Sequence, residues 1–171
     1  HLYGEAGRQV YDFLWGEYAD WYIEISKLDL TGEDAVARSR ARQVLVYVLD
    51  QCLRLLHPYI PFVTEEIWQH LPHEGETLML AEWPQPNPAS FDEVAESGMA
   101  TVIDFIRGIR NARTEYDVPP GRKIALQVSA GEWAETLRQE QDVIMRLANI
   151  DPAQLTIVEA LGSAPEQAVT V

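Results

Sequence analysis

A single cysteine, Cys52, is all that 171 residues provide, so an internal disulfide framework and a multi-thiolate zinc site are both excluded. No uninterrupted apolar run approaches the roughly 20 residues that a membrane span requires. Nothing near the start joins a charged region to an apolar core, so no export signal is visible and a cytoplasmic location is expected. Positive charge is scarce as well. Thirteen Lys and Arg stand against 27 Asp and Glu, for a formal net charge of −14, and residues 58–103 hold no Lys or Arg. That balance ordinarily argues against a polyanionic partner. Catalytic signatures are missing too: there is no G-x-S-x-G, no glycine-rich phosphate loop, no C-x-x-C and no H-E-x-x-H. The chain carries no recognisable active site.

What is present is an ordinary globular composition, 47% hydrophobic and 23% charged, which rules out collagen-like, mucin-like and wholly disordered chains. A domain of this length removes roughly 70% of its unfolded surface from water, enough for a core without staples. Cys52 lies among Leu49, Leu53 and Leu56 and reads as a small buried apolar residue of a reducing compartment. The first residue is His1, and the last four, Ala168 to Val171, read as half a strand. Both ends are expected to continue into a longer chain.

The few cations are unevenly spread, and nine of the thirteen fall in two islands. Residues 37–57 carry Arg38, Arg40, Arg42 and Arg54 against Asp50 alone. Residues 104–123 carry Arg107, Arg110, Arg113, Arg122 and Lys123 against Asp104, Glu115 and Asp117. A polyanion, if one binds, should meet the protein there.

Apolar periodicity predicts a helix over the first 27 residues, with a stripe of Ala6, Val10, Phe13, Leu14, Tyr18, Trp21, Ile25 and Leu28. Gly32, free to adopt a left-handed conformation, is expected to end it. A second helix is predicted from about Glu33 to His57, where Pro58 stops it. Pro61 opens a short third helix to about Leu71, anchored by Phe62, Ile67, Trp68 and Leu71. Four prolines between 72 and 90 predict a surface loop, pinned by Leu78, Met79, Leu80 and Trp83. Ser90 or Asp92 caps a long helix to 117, broken by Val118-Pro119-Pro120-Gly121. Beyond it, Lys123–Ser129 alternates as a strand with one buried face. Residues 132–149 read as a helix with Trp133, Leu137, Val143, Ile144 and Leu147 inward, and 155–158 and 168–171 as further strands. The expected fold is mainly α: a helical bundle over 1–117 with a small α/β extension over 118–171.

The long helix is the most informative stretch. Met99, Val102, Ile103, Ile106 and Ile109 share about a third of its circumference, and Arg110 and Arg113 continue that face with Arg107 beside it. A guanidinium there cannot stay buried and unpaired, because desolvating a charge costs several kcal/mol. Either a neighbouring carboxylate meets it, or the face emerges and offers its arginines to an external anion. Asn111 and Tyr116 would then suit a base edge and a base face. The aromatics Trp15, Tyr18, Trp21 and Tyr22 have two readings, core packing or base stacking. Arg38, Arg40 and Arg42 likewise read as a solvated face or a contact surface. His70 and His73 lie three apart with Pro72 between them, which suits a solvated helix end better than a metal site, and no metal is expected.

Four segments, taken in order, resemble one family. They are Asp20-Trp21-Tyr22-Ile23-Glu24 followed by Lys27; His57-Pro58 through Trp68; Trp83-Pro84; and Ile106-Arg107-Gly108-Ile109-Arg110-Asn111-Ala112-Arg113 running on to Pro119-Pro120. In that order and spacing they resemble the anticodon-binding region of class I aminoacyl-tRNA synthetases for branched aliphatic amino acids. The D-W-Y-I-E form points to the valyl branch more than to the isoleucyl or leucyl branches, which share the H-P-x-x-P-F-x-x-E-E-x-W element. The resemblance covers residues 2–125; residues 126–171 match in pattern only. The family's bundle usually begins with one further helix ahead of the position of Leu2.

The resemblance implies a parent enzyme that attaches valine to its tRNA with ATP and magnesium, in a catalytic domain whose signatures do not occur in this sequence. A separate inserted domain hydrolyses mischarged product. The part in hand would hold the anticodon arm of a valine tRNA, bind no ATP, metal or other cofactor, and pack against the catalytic domain and a C-terminal coiled coil. It would touch neither membrane nor DNA. The residues expected at the tRNA are Arg107, Arg110, Arg113, Arg122, Lys123 and Asn111, with Arg38 and Arg42 as second choices. Asp20, Trp21, His57, Pro58, Pro61, Glu65, Glu66 and Trp68 look like architecture. The rival readings are the same domain from an isoleucyl or leucyl enzyme, and an acidic helical protein-interaction module.

Overall fold

A computed structural model describes residues 2–160 and 162, so the strand expected at 168–171 lies outside the described residues. The chain forms two compact units, 1–90 and 91–171. Both are mainly helical, and the second also carries a two-stranded parallel sheet.

The first unit opens with a helical run made of α1 (Tyr3–Phe13), a π-wound stretch (Leu14–Tyr22) and α2 (Ile23–Thr31). The wider winding breaks the 3.6-residue period on which the predicted stripe rested. Tyr18 and Trp21 are buried as expected, whereas Ala6 and Phe13 are exposed. Gly7 lets the Tyr59 ring lie close: a Cβ there would stand 3.0 Å from it and push it by a few tenths of an ångström, and the Tyr59 hydroxyl donates to the Tyr3 carbonyl. Gly32 does end the run, but in an extended conformation (φ −69°, ψ 170°) and not the left-handed one expected. Helix α3 (Ala35–Leu56) starts at Asp34, whose carboxylate accepts from the amides of Val36 and Ala37.

Helix α4 (Pro61–Gln69) begins at the predicted proline. Its inward face is Thr64 and Trp68, one turn apart; Phe62 is 89% exposed and Ile67 also faces out, so neither is an anchor. Trp68 is fully buried against Leu53 and Leu78, its Nε1 donates to Asp50 Oδ1 at 2.7 Å, and the His73 ring stacks on it. The loop after α4 is pinned by Leu78 alone among the residues named for that role, with Met79, Leu80 and Trp83 exposed. Glu65 supplies the rest of the tether, accepting from Thr77 Oγ1 and from the Leu78 amide. Hydrogen bonds, from Gln69 first and then from Thr77 and Leu78, hold its carboxyl below the ordinary value. A group lowered in the folded state stabilises above its unfolded pKa and loses that contribution as pH falls through the folded one. Glu65→Gln is therefore expected to be less stable than the parent in urea at neutral pH, with the gap closing on acidification.

The second unit begins at α5 (Glu93–Glu115), capped by Asp92, which accepts from the amides of Val94 and Ala95. Strands β1 (Ile124–Ser129) and β2 (Ile150–Val158) pair in parallel and are joined by α6 (Ala134–Gln139) and α7 (Gln141–Ala148). The helix predicted over 132–149 thus breaks at Glu140, and Trp133 sits in a short 3₁₀ turn, 37% exposed. The register slips between Ile124 and Leu126, which pair with Ile150 and Leu155, leaving β2 to bulge around Pro152. Val102, Ile103, Ile106 and Ile109 of α5 are buried, and α5 packs on α6 and α7, which bury Leu137, Val143 and Ile144. That shared core puts α5 in one compact unit with the α/β part.

Candidate nucleic-acid interface

The second half of α5 runs beside the C-terminal end of α7, where the last helical carbonyls lack intrahelical partners and form the negative end of the helix dipole. Arginines on α5 meet them. Arg110 donates through Nε to the Leu147 carbonyl at 3.0 Å and remains exposed. Arg107, one turn earlier, is exposed and pairs with Asp104 at 3.1 Å. Asn111 is exposed on the same stretch, and Tyr116, just beyond α5, is 52% exposed.

Arg113 behaves otherwise. Only 8% exposed, it donates to the carbonyls of Pro119 (3.0 Å), Pro120 (3.3 Å) and Arg122 (2.8 Å), and reaches that of Asn149 at 3.5 Å. Its partners are main-chain carbonyls, neither the carboxylate nor the external anion that the sequence reading weighed. A buried guanidinium bonded in this way is not a surface contact, which corrects the expectation placed on it.

The turn that Arg113 grips is built from residues that cannot pair in a ladder. Pro119 and Pro120 have no N–H to give, and while the Pro119 carbonyl accepts from the Arg122 amide at 3.0 Å, that of Pro120 accepts from side chains. Asn149, in a left-handed conformation (φ 55°, ψ 55°) at the end of α7, supplies more: its Nδ2 donates to Pro120 O at 2.8 Å and to Arg122 O at 3.3 Å. Its own carbonyl accepts from Ile124 N at 3.4 Å, where β1 begins. The clamped turn carries Arg122 and Lys123, both exposed, with no hydrogen bond or ion pair to their side chains among the described residues. A cleft of about 260 Å³ lies beside it, lined by Arg110, Thr114, Val118 and Leu147 among others.

In the first unit, Arg38 is half-buried and donates to the Gly32 carbonyl at 2.6 Å, tying the junction between α2 and α3. Arg42 is exposed. Of the aromatics, Tyr18 and Trp21 belong to the core, with the Tyr18 hydroxyl donating to Leu45 O, while Trp15 is 56% exposed. The histidines do local work. His57 Nδ1 lies 2.8 Å from Thr64 Oγ1, His70 Nδ1 2.8 Å from Glu66 O, and His73 Nδ1 2.8 Å from Leu71 O. Among the described residues no cluster of His, Cys, Asp or Glu is placed to hold a metal ion. Burial pushes the Cys52 thiol up to about 11, which keeps it protonated and unreactive at neutral pH.

The sequence model of a family described as the anticodon-binding domain of tRNA ligase matches residues 3–129. The chain belongs to that family. Within this anticodon-binding domain the match runs to the last residue of β1 and so takes in α5, Arg113 and the Arg122-Lys123 turn. Similar proteins include the valine–tRNA ligase of Bacillus cereus, 46% identical over 170 residues, covering 98% of this chain and 19% of that protein. The valine–tRNA ligase of Listeria monocytogenes is 46% identical over 157 residues, 91% of this chain and 18% of its own length. That of Geobacillus stearothermophilus is 43% identical over 170 residues, 98% and 19% respectively. The chain therefore spans about a fifth of the length of these relatives. Asn149, which sequence reasoning passed over, did leave a signal, since Asn directly after a helix favours the left-handed cap. The carbonyls it reaches lie 27 and 29 positions earlier, which no local pattern discloses.

Proposed function

We propose that this chain is the anticodon-binding part of a valine–tRNA ligase and holds the anticodon arm of a valine tRNA. The observation that carries the reading is the 46% identity to valine–tRNA ligases over 98% of the chain, which also favours valine over the isoleucine and leucine branches. The chemistry of aminoacylation, with ATP and magnesium, belongs on this reading to a catalytic domain elsewhere in the longer polypeptide, against which this part packs. Arg122 and Lys123, with Arg107 and Arg110, meet phosphates; Asn111 and Tyr116 offer a base edge and a base face. Arg42 and the partly engaged Arg38 are secondary contacts. With so acidic a chain, most of the affinity comes from other parts of the enzyme.

The test uses the full-length enzyme carrying Arg122→Gln and Lys123→Gln. KM for tRNA is expected to rise while valine-dependent ATP–pyrophosphate exchange is unchanged. The log–log dependence of tRNA affinity on salt should flatten by about 1.4–1.8, two contacts at 0.7–0.9 each. Unchanged KM and salt slope would refute the site, and charging with isoleucine or leucine in place of valine would refute the specificity.

A further inference from the structure

We propose that Asn149 is a positioning residue for tRNA: with Arg113 it holds the 119–123 turn in the shape that sends Arg122 and Lys123 together into solvent. The inference rests on the reading of those two cations as phosphate contacts and adds the residue that aims them. Asn149 grips the turn at both ends, its Nδ2 on the carbonyls of Pro120 and Arg122 and its carbonyl on the amide of Ile124. Arg122 O is held twice, by Asn149 and by Arg113, so the main chain directly beneath both cations is fixed from α5 and from α7. The side of the turn at Gly121 is open, with nothing within 4 Å of a Cβ built there.

The backbone at 149 is one where glycine would be the least strained residue. Asparagine tolerates it, and what it adds over glycine is the amide that reaches the turn. Two cations on a fixed backbone lose less freedom on meeting a phosphate chain than two on a loose loop, and that difference appears in affinity. Asn149 therefore acts through Arg122 and Lys123 and touches no nucleic acid itself.

The experiment is a double-mutant cycle in the full-length enzyme. Asn149→Gly keeps the left-handed backbone and the carbonyl but removes the amide. It is expected to raise KM for tRNA several-fold with kcat and ATP–pyrophosphate exchange unchanged, and to leave the salt slope near that of the parent, because both cations remain. In the Arg122→Gln, Lys123→Gln background the same change should do nothing further. Asn149→Asp, which keeps size but faces two carbonyls with a carboxylate, should behave in the same way and serves if the glycine variant is unstable. A KM that does not move, or that rises equally with the two cations removed, overturns the role of Asn149. If the Arg122→Gln, Lys123→Gln pair is itself without effect on tRNA, the underlying site reading fails and the inference falls with it.

Discussion

Replacing Arg113 by alanine is expected to destabilise the fold by about 3–4 kcal/mol, read as a drop in the urea midpoint at unchanged slope. Arg113 donates to the carbonyls of Pro119, Pro120 and Arg122, each of which has one further donor, the Arg122 amide for the first and Asn149 Nδ2 for the other two, so its loss leaves a loosened turn and an emptied buried site. Each hydrogen bond from a charged donor is worth about 1.5–3 kcal/mol, but the three share one group and do not add fully. At 171 residues this corresponds to roughly 10 °C in Tm. Arg113→Lys should recover only part of the loss: the three turn carbonyls converge on Nη2, whose place an ammonium can take, but the second prong of the fork, Nη1 toward the Asn149 carbonyl, is lost. Full recovery by lysine would mean that charge alone, and not the fork geometry, secures the turn.

Trp68→Ala is expected to cost about 3–5 kcal/mol through the cavity it leaves. The ring is fully buried in a small cluster with Leu53 and Leu78, with the partly buried Leu49, Leu71 and Ala81 packed around it. Trp68→Phe separates the two parts of the interaction. It keeps most of the area but removes the Nε1 donor from Asp50, which still holds Arg54 at 2.8 Å. That change should cost about 1–2 kcal/mol, the penalty for a partly buried carboxylate losing one donor. A phenylalanine variant as stable as the parent would show that Asp50 is satisfied by Arg54, Gln51 and water without the indole.

Much of the architecture could be read from local chemistry. Asp92 and Pro61 start helices where their side chains dictate, because an acceptor at the cap and a fixed φ at the first helical residue act within one turn. The alternation of Ile124, Leu126 and Val128 marked β1, since strand faces repeat every two residues. Misplaced features depended on more than one turn of chain. Phe62 reads as an anchor in the sequence, yet at the second position of α4 it points away from the side that buries Thr64 and Trp68. Ala6 and Phe13, on the predicted stripe, are exposed in α1, ahead of the π-wound stretch that changes the period from Leu14.

The candidate site divides along the same line. That cations cluster at 104–123, that a proline-proline turn ends the helix, and that the segment resembles a tRNA-ligase anticodon domain all follow from residue type and order, which are local and need no coordinates. Which arginines face outward does not follow. Arg110 and Arg113 are three residues apart on one helix face, yet one is exposed and the other is sealed beneath the 119–122 carbonyls. The difference arises because folding brings the end of α7 and Asn149 against α5, and a buried charge must then find acceptors wherever the packed chain leaves them unpaired.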